Sequence, residues 1–266
     1  MKKLNDETML GSFSLDCFSL KGKKAIITGG NNGVGLGYVY ALFRAGASIL
    51  VPCLDENNQK ELIQEANACG AEIFFVKGDL CDRAFQDHVV ETALDHFGTI
   101  DILINNAGAI VRKPLLECQD EDWSKVMAVN CDALYFLSRK VADVMVRQRS
   151  GKIINIASMI SFRGGINNIA YAASKHAVVG ITKNFANELG KYNIQVNAIA
   201  PGYIAAGNSE AIIHDERIYN DFLSRIPAGR WGTPADLQGL AVFLSGAGSD
   251  YINGAIIPVD GGYLCR

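Results

Sequence analysis

The residues best suited to proton transfer are Tyr171 and Lys175, which stand four positions apart in the segment Tyr-Ala-Ala-Ser-Lys. In a helix, side chains at that spacing project from the same face, one turn apart. The pKa of an unperturbed tyrosine is about 10, which is too high for proton transfer near neutral pH. A neighbouring ammonium stabilises the phenolate and lowers that pKa, so the pair is a candidate acid/base. Taken alone, the same spacing more often marks an ordinary pair on a helix surface.

Two further polar residues belong to this candidate catalytic group. Ser158 lies just beyond a predicted strand, where its hydroxyl can donate a hydrogen bond to a substrate oxygen. Asn130 lies inside a long predicted helix and can hold a water that links Lys175 to solvent. Tyr171 follows this serine-bearing strand end and lies downstream of a glycine-rich turn, and that order favours the catalytic interpretation over the surface pair.

The glycine-rich turn near the N-terminus is the second segment suited to chemistry. Residues 28–35 read Thr-Gly-Gly-Asn-Asn-Gly-Val-Gly and join the first predicted strand to the first predicted helix. Glycines let the backbone approach a pyrophosphate and turn tightly into a helix whose N-terminal amides face the anion. The predicted cofactor contacts in this turn are Gly29, Asn31, Asn32, Gly33 and Val34.

Two polar segments follow the third and fourth predicted strands. Asp79 can accept a hydrogen bond from an adenine amine, although a helix N-cap is an alternative role. The segment Asn-Asn-Ala-Gly at 105–108 can line the ribose and close the crevice of the sheet, although a plain turn is an alternative. All these motifs fall at the carboxyl ends of strands, where open α/β sheets bind ligands. The predicted cofactor contacts here are Asp79, Leu80, Asn106, Ala107 and Gly108.

Short apolar runs alternate with longer amphipathic stretches along most of the chain. The predicted strands cover 24–28, 48–52, 72–76, 101–105, 152–157, 194–199 and 255–259. The predicted helices cover 35–45, 57–69, 82–97, 120–149, 171–189 and 234–244. Continuous Val/Ile/Leu strands imply burial on both faces, so the pattern predicts an α/β fold with a doubly wound parallel sheet. Residues 1–20 are predicted to form an N-terminal arm, and residues 21–266 a single domain.

Composition excludes several classes of function. The chain has 266 residues, 20% of them charged, and a formal net charge of −3, so no basic field favours nucleic acid or an anionic membrane as a partner. No apolar run reaches the roughly 18 residues of a bilayer span, and the polar N-terminus lacks a secretory signal, which predicts a cytoplasmic protein. The seven cysteines contain no C-x-x-C pair and the four histidines no metal-ligand spacing. Reduced thiols and no catalytic metal are therefore expected.

Together these motifs resemble the classical short-chain dehydrogenase/reductase family over roughly residues 20–266. The resemblance rests on T-G-x-x-x-G-x-G at 28–35, N-N-A-G at 105–108, Asn130, Ser158, Y-x-x-x-K at 171–175 and Pro201-Gly202. It implies a Rossmann-type fold and an NAD(P)-dependent enzyme that acts on CH–OH groups of a small molecule.

The resemblance also implies roles for individual residues. Tyr171 is then the acid/base, Ser158 the partner of the substrate oxygen, and Lys175 a contact of the nicotinamide ribose. Asn130 takes part in a proton relay. Further cofactor contacts are Tyr171, Lys175, Pro201, Gly202 and Ile204. The family likeness implies a homotetramer, with residues 259–262 near the subunit contacts.

A narrower likeness concerns the substrate. Segments 151–166, 200–203, 225–232 and 249–251 are similar to the branch of 2-dehydro-3-deoxy-D-gluconate 5-dehydrogenases and gluconate 5-dehydrogenases. It implies hydride transfer between a nicotinamide and a secondary alcohol or ketone of a sugar acid. Arg112 and Arg163 are candidate partners of its carboxylate, or else solvated surface arginines, and Ser158 is a candidate partner of the reacting oxygen. The polar stretch 206–225 is a candidate lid.

Two departures from the family pattern concern the cofactor. The family often carries a threonine at the position of Ala206, so the backbone at Ile204 is expected to hold the nicotinamide carboxamide. Asp55 and Glu56 follow the second predicted strand, and no arginine or lysine is present there. A 2′-phosphate would meet acids without a cationic partner, which favours NAD and does not exclude NADP.

Two other functions fit parts of the same pattern. The first is an NADPH-dependent reductase of 3-oxoacyl thioesters or of another small ketone, which would favour a basic surface for an acidic carrier. The second is a catalytically inactive nucleotide-binding scaffold, because a fold does not fix a function. Such a scaffold would be expected to lose the tyrosine or the lysine, whereas all four catalytic positions are present here.

Overall fold

One parallel sheet organises the computed structural model, which describes residues 13–207, 213 and 215–266. The strand order is β3-β2-β1-β4-β5-β6-β7. The strands are β1 Lys24–Ile27, β2 Ser48–Cys53, β3 Ile73–Lys77, β4 Ile102–Asn105, β5 Gly151–Ile156, β6 Ile194–Pro201 and β7 Ile256–Val259. The predicted doubly wound parallel sheet is confirmed. Its order reverses between β1 and β4, which opens a crevice at the carboxyl ends of these strands.

Helices cover both faces of the sheet. They are α1 Gly33–Arg44, α2 Gln59–Ala68, α3 Arg83–Phe97, α4 Asp120–Met127, α5 Leu134–Gln148, α6 Ile169–Leu189, α7 Glu216–Leu223 and α8 Pro234–Ser245. Leu42 of α1 and Leu237 of α8 belong to the core on one face, and Val89 of α3 and Val141 of α5 to the core on the other. Every residue of β2 is buried as a result. None of these helices is long and apolar enough to cross a membrane.

The predicted helix over 120–149 is interrupted. A π-helical turn at Ala128–Ala133 separates α4 from α5 and contains Asn130. Such turns occur mostly as single insertions in α-helices and often lie at functional sites. The apolar spacing on either side stays close to helical, so the sequence pattern does not reveal the interruption.

The stretch predicted to be irregular, 206–225, contains a helix. α7 covers Glu216–Leu223, and its N-cap Asp215 accepts hydrogen bonds from the N–H groups of Arg217 and Ile218. Residues 208–212 and 214 of the candidate lid lie outside the described residues. Whether the stretch closes over a ligand stays a prediction.

Part of the predicted N-terminal arm contacts the rest of the structure. Residues 1–12 lie outside the described residues. Leu20 is fully buried, and its N–H donates a 2.8 Å hydrogen bond to the carbonyl of Ala45. The ring of Phe18 lies 5.9 Å from the ring of Phe243 on α8. The division of the chain at residue 20 stays a prediction.

Candidate active site

A cavity of about 560 Å³ lies at the carboxyl ends of the strands. Its volume is within the range of small-molecule and cofactor sites. Ser158 lines it, together with every residue predicted to contact the cofactor: Gly29, Asn31, Asn32, Gly33, Val34, Asp79, Leu80, Asn106, Ala107, Gly108, Tyr171, Lys175, Pro201, Gly202 and Ile204. Asn130, Arg112 and Arg163 are outside this lining. The residues predicted to contact the cofactor therefore share one cavity, and their roles there stay predictions.

The turn from β1 into α1 presents its backbone to the cavity. Gly29 and Gly33 have φ angles of 60° and 55°, which glycine adopts without steric cost. A Cβ atom at Gly35 would lie 2.3 Å from the carbonyl oxygen of Gly29, so glycine is required for this close approach. The N-cap of α1, Asn32, makes no capping bond through its side chain. The N–H groups of the first turn are thus available to an anion, which fits the pyrophosphate of a dinucleotide.

Asp79 is not the N-cap of α3. That position belongs to Asp82, whose carboxylate accepts a 2.9 Å hydrogen bond from the N–H of Ala84. Asp79 instead accepts a 2.9 Å bond from the N–H of Cys81 and lines the cavity. The alternative capping role is therefore wrong, and the adenine contact stays a prediction.

Thr28 fixes the segment that follows β4. Its Oγ1 accepts hydrogen bonds of 3.0 Å from the N–H groups of both Asn106 and Ala107. The side-chain amide of Asn106 donates in return to the carbonyls of Thr28 and Gly29, at 2.9 and 3.0 Å. These bonds tie the N-N-A-G segment to the glycine-rich turn, so the segment is more than a plain turn. Thr28 is part of the predicted motif at 28–35, but its own role in fixing the segment after β4 was not predicted.

Ser158, Tyr171 and Lys175 converge where β5 ends and α6 begins. α6 starts at Ile169, two residues before Tyr171, so both the tyrosine and the lysine are in its first two turns. The hydroxyl of Ser158 is hydrogen-bonded to the phenol of Tyr171. The ammonium of Lys175 donates a 2.6 Å bond to the carbonyl of Ile156 and lies 5.6 Å from the centre of the Tyr171 ring. The structure brings these three predicted residues together.

Neighbouring groups oppose the effect of burial on Tyr171. Burial raises the pKa of its phenol, whereas the hydrogen bond with Ser158 and the guanidinium of Arg112 lower that pKa. Burial lowers the pKa of Lys175 to about 8, because a charged ammonium is poorly solvated there. The sequence predicts that Lys175 lowers the pKa of Tyr171. In this structure Ser158 and Arg112 are the groups that lower it.

The side chain of Asn130 joins three parts of the site. Its Oδ1 accepts a 2.7 Å bond from the N–H of Ala109, and its Nδ2 donates to the carbonyl of Ala109 at 2.9 Å and to Oγ of Ser174 at 3.0 Å. Oγ of Ser174 donates to the carbonyl of Tyr171 at 2.8 Å. Asn130 therefore holds the segment after β4 against α6. Both of its amide hydrogens are used, and a relay through water stays a prediction.

Arg112 and Arg163 belong to two different loops, and both act electrostatically on the phenol of Tyr203. Arg112 interacts electrostatically with the phenols of Tyr171 and Tyr203, and partial burial lowers the pKa of its guanidinium. The guanidinium of Arg163 lies 5.2 Å from the centre of the Tyr263 ring and lowers the pKa of Tyr203. Both residues nevertheless remain exposed, so the alternative of solvated surface arginines stays open.

An aromatic cluster surrounds Tyr203. Its ring stacks on Phe222 at 4.4 Å and lies 5.0 Å from Trp231 and 5.3 Å from Tyr263. Tyr219 stacks on Trp231 with an angle of 7° between the rings. Since Tyr219 and Phe222 belong to α7, the cluster attaches that helix to the loop after β6. No local sequence pattern indicates this cluster, because its members come from four separate segments.

Comparison with known proteins identifies the family. A family model described as enoyl-(acyl carrier protein) reductase matches residues 29–264. The chain belongs to the short-chain dehydrogenase/reductase family. As a short-chain dehydrogenase/reductase it is an NAD(P)-dependent oxidoreductase that acts on CH–OH groups, which confirms the enzyme class expected from the motifs. A nicotinamide cofactor is confirmed with it.

Three relatives within the short-chain dehydrogenase/reductase family illustrate the similarity. The 2-dehydro-3-deoxy-D-gluconate 5-dehydrogenase of Dickeya dadantii is 47% identical over 95% of this chain and 99% of its own length. The enzyme of the same name from Bacillus subtilis is 45% identical over 94% and 98%. The crystal structure of a gluconate 5-dehydrogenase from Burkholderia cenocepacia, in complex with NADP and tartrate, is 36% identical. It covers 96% of this chain and 100% of its own, with a TM-score of 0.89.

Proposed function

We propose that this protein oxidises a secondary hydroxyl of a sugar acid, and reduces the corresponding ketone, with a nicotinamide cofactor. The observation that carries the proposal is the convergence of Ser158, Tyr171 and Lys175 in the wall of the cavity. The guanidinium of Arg112 also acts on the phenol of Tyr171 and lowers its pKa. A carboxylate bound by Arg112 would hold the hydroxyls of a short polyhydroxy acid against Tyr171. The names of the relatives from Dickeya dadantii and Burkholderia cenocepacia support the same substrate class.

Proton transfer is assigned to Tyr171. In the oxidation direction its phenolate takes the proton of the substrate hydroxyl, while the hydrogen on the same carbon leaves as a hydride to the nicotinamide and a carbonyl results. Ser158, which is hydrogen-bonded to Tyr171, orients the substrate oxygen. Lys175 holds the nicotinamide ribose. In the reduction direction the phenol of Tyr171 returns the proton.

Arg163 is the second proposed partner of the carboxylate. Its guanidinium lies 5.2 Å from the centre of the Tyr263 ring and acts electrostatically on the phenol of Tyr203. The third nearby cation, Arg225, makes bonds of 2.8 and 2.6 Å to the carboxylate of Asp221 on α7. We assign the substrate carboxylate to Arg112, which also interacts with Tyr171, and to Arg163, which follows Ser158 by five residues.

For the cofactor, we propose a preference for NAD over NADP. The carboxylate of Asp55 follows β2 and accepts bonds of 2.7 Å from Asn31 and 3.1 Å from Asn32. All three residues line the cavity. A ribose hydroxyl can donate to this carboxylate, whereas a 2′-phosphate would be repelled by it. The NADP bound to the Burkholderia cenocepacia enzyme supports the opposite preference in that relative.

We also propose a homotetramer in the cytoplasm. Leu115, Leu116 and Ile166 are 68, 96 and 87% exposed, and a subunit contact would cover such side chains. All seven cysteines are free thiols, which suits a reducing compartment. No group of three His, Cys, Asp or Glu side chains in the described ranges is arranged to hold a metal ion. Light scattering is expected to give four times the chain mass of 28.7 kDa, and a monomer would contradict the assembly.

The absorbance of reduced nicotinamide tests the substrate class on the purified protein. NAD⁺ and NADP⁺ are compared with gluconate, 2-keto-3-deoxygluconate and sorbitol, which matches gluconate but lacks the carboxylate. NADPH is tested with a 3-oxoacyl thioester. We expect kcat/KM for the acids to exceed that for sorbitol by about tenfold or more. Turnover of the thioester alone, or equal turnover of gluconate and sorbitol, would contradict the proposed substrate.

A further inference from the structure

A second buried serine bonds to both halves of the catalytic group. Ser161 is in the 3₁₀ turn Met159–Phe162, three residues after Ser158, and is 7% exposed. Its Oγ accepts a 3.3 Å hydrogen bond from the N–H of Ser158. The same Oγ donates a 2.7 Å hydrogen bond to the carbonyl of Lys175. One hydroxyl therefore links the end of β5 to α6 at the backbones of two proposed catalytic residues.

The bond to Lys175 is not needed to complete α6. Lys175 lies inside this helix, which covers Ile169–Leu189, so its carbonyl is positioned to accept the regular helical bond from the residue four positions on. A carbonyl oxygen has two lone pairs, and Ser161 uses the second. What the bond adds is a fixed separation between the turn that carries Ser158 and the face of α6 that carries Tyr171.

We propose that Ser161 is a positioning residue, which keeps the hydroxyl of Ser158 aligned with the phenol of Tyr171. Without the Ser161 hydroxyl, the turn that carries Ser158 loses its bond to the backbone of α6. The hydrogen bond between Ser158 and Tyr171 is then weakened. This inference rests on the proton-transfer role proposed for Tyr171, and it is independent of which alcohol the enzyme oxidises.

A weakened bond between Ser158 and Tyr171 changes the pH dependence of oxidation in a defined direction. That bond lowers the pKa of the Tyr171 phenol, so its loss raises the pKa. Oxidation needs the phenolate, and its rate therefore begins to rise at a higher pH. Among the described residues, the charged or titratable groups that face Tyr171 are Arg112, from the loop after β4, and Lys175, from α6 itself. Both remain in a variant of Ser161, so the shift reports on Ser158.

Ser161→Ala is compared with Ser245→Ala as a matched control. Ser245 is on α8, is 2% exposed, and its hydroxyl has no hydrogen-bond partner among the described residues. The two variants lose the same atom from buried positions, but only Ser161→Ala loses hydrogen bonds. Gluconate oxidation is followed across about pH 6 to 10, NADH binding by fluorescence, and folding by thermal unfolding. Each kinetic and binding constant is expressed as the ratio of variant to wild type. A simple secondary alcohol serves as a second substrate.

We expect Ser161→Ala to lower kcat about tenfold or more and to move the lower limb of the kcat/KM profile to higher pH. NADH binding should stay within about twofold of wild type, because Ser161 does not line the cavity. Ser245→Ala should match the wild type in kcat, in the pH profile of kcat/KM and in NADH binding. A Ser161→Ala enzyme that has only a lower unfolding temperature, with unchanged kcat and pH profile, would overturn the proposal.

A second pair of variants covers the case in which Ser161→Ala does not fold. Ser161→Thr keeps the hydroxyl, whereas Ser161→Cys keeps the size and forms much weaker hydrogen bonds. The pH profile should stay at the wild-type position in Ser161→Thr and move upward in Ser161→Cys. Identical profiles would overturn the proposal. If Tyr171→Phe retained the wild-type rate, the proton-transfer role would fail on its own, whatever the outcome at Ser161.

Discussion

The guanidinium of Arg112 lowers the pKa of the Tyr171 phenol, although Arg112 is in the loop after β4 and Tyr171 is on α6. Contacts of the next residue, Lys113, anchor the loop that carries Arg112. The ammonium of Lys113 lies 2.5 Å from the carboxylate of Asp122, and the N–H of Lys113 donates a 2.9 Å bond to the carbonyl of Asn167. A residue proposed to bind the substrate carboxylate therefore also adjusts the proton affinity of the proposed acid/base.

Arg112→Met is expected to change both substrate binding and the pH profile. A cation favours the phenolate, so its removal raises the pKa of Tyr171 and moves the onset of oxidation to higher pH. KM for gluconate should rise about tenfold or more, while KM for sorbitol should change little. Steady-state kinetics across pH measures both effects. The control is Arg147→Met, whose exposed guanidinium pairs with Asp143, and an Arg112→Met profile equal to that of this control would refute the link.

Tyr171→Phe is expected to remove most of the activity without affecting the fold. Loss of the proton-transfer group should lower kcat by about a hundredfold to ten-thousandfold. NADH binding, measured by fluorescence titration, should remain because the aromatic ring stays in the wall of the cavity. Tyr251→Phe, at a fully exposed tyrosine, is the matched control. Substantial residual turnover in Tyr171→Phe would show that another group transfers the proton.

Asp55→Asn is expected to weaken the preference for NAD. The substitution keeps the size of the side chain and removes the charge that would repel a 2′-phosphate. The ratio of kcat/KM with NAD⁺ to kcat/KM with NADP⁺ should fall about tenfold. Asp143→Asn, at an exposed residue of α5, provides the control. A wild type that already prefers NADP, or a ratio that Asp55→Asn leaves unchanged, would contradict the role of Asp55.

Asn130→Ala is expected to destabilise the fold. The substitution removes three hydrogen bonds and leaves the N–H and carbonyl of Ala109 without their side-chain partner. The free energy of unfolding should fall by about 2 to 4 kcal/mol in urea titrations. Asn67→Ala, at an exposed position on α2, should change it by no more than about 0.5 kcal/mol. Equal stabilities of the two variants would mean that the Asn130 bonds contribute little.

The sequence by itself determined the sheet and the main wall of the cavity. Runs such as Ile-Leu-Val in β2 are buried on both sides, and their signal lies within a few consecutive residues. The same holds for the glycine-rich turn, because the need for a positive φ at Gly29 and Gly33 is a property of the residue itself. Motifs that follow parallel strands then meet at one edge whatever the details of packing, which is why the predicted cofactor contacts all line one cavity.

Only the tertiary structure decided which side chains support the proposed catalytic residues. Three features of the site depend on elements that are distant or interrupted in sequence. They are the bond from Ser161 to Lys175, the π-helical turn at Asn130 and the interaction of Arg112 with Tyr171. A serine hydroxyl finds its partner over about 3 Å, and the packing of helices on the sheet sets that distance. Local sequence patterns carry the period of a helix or strand, but they do not carry the position of one element against another.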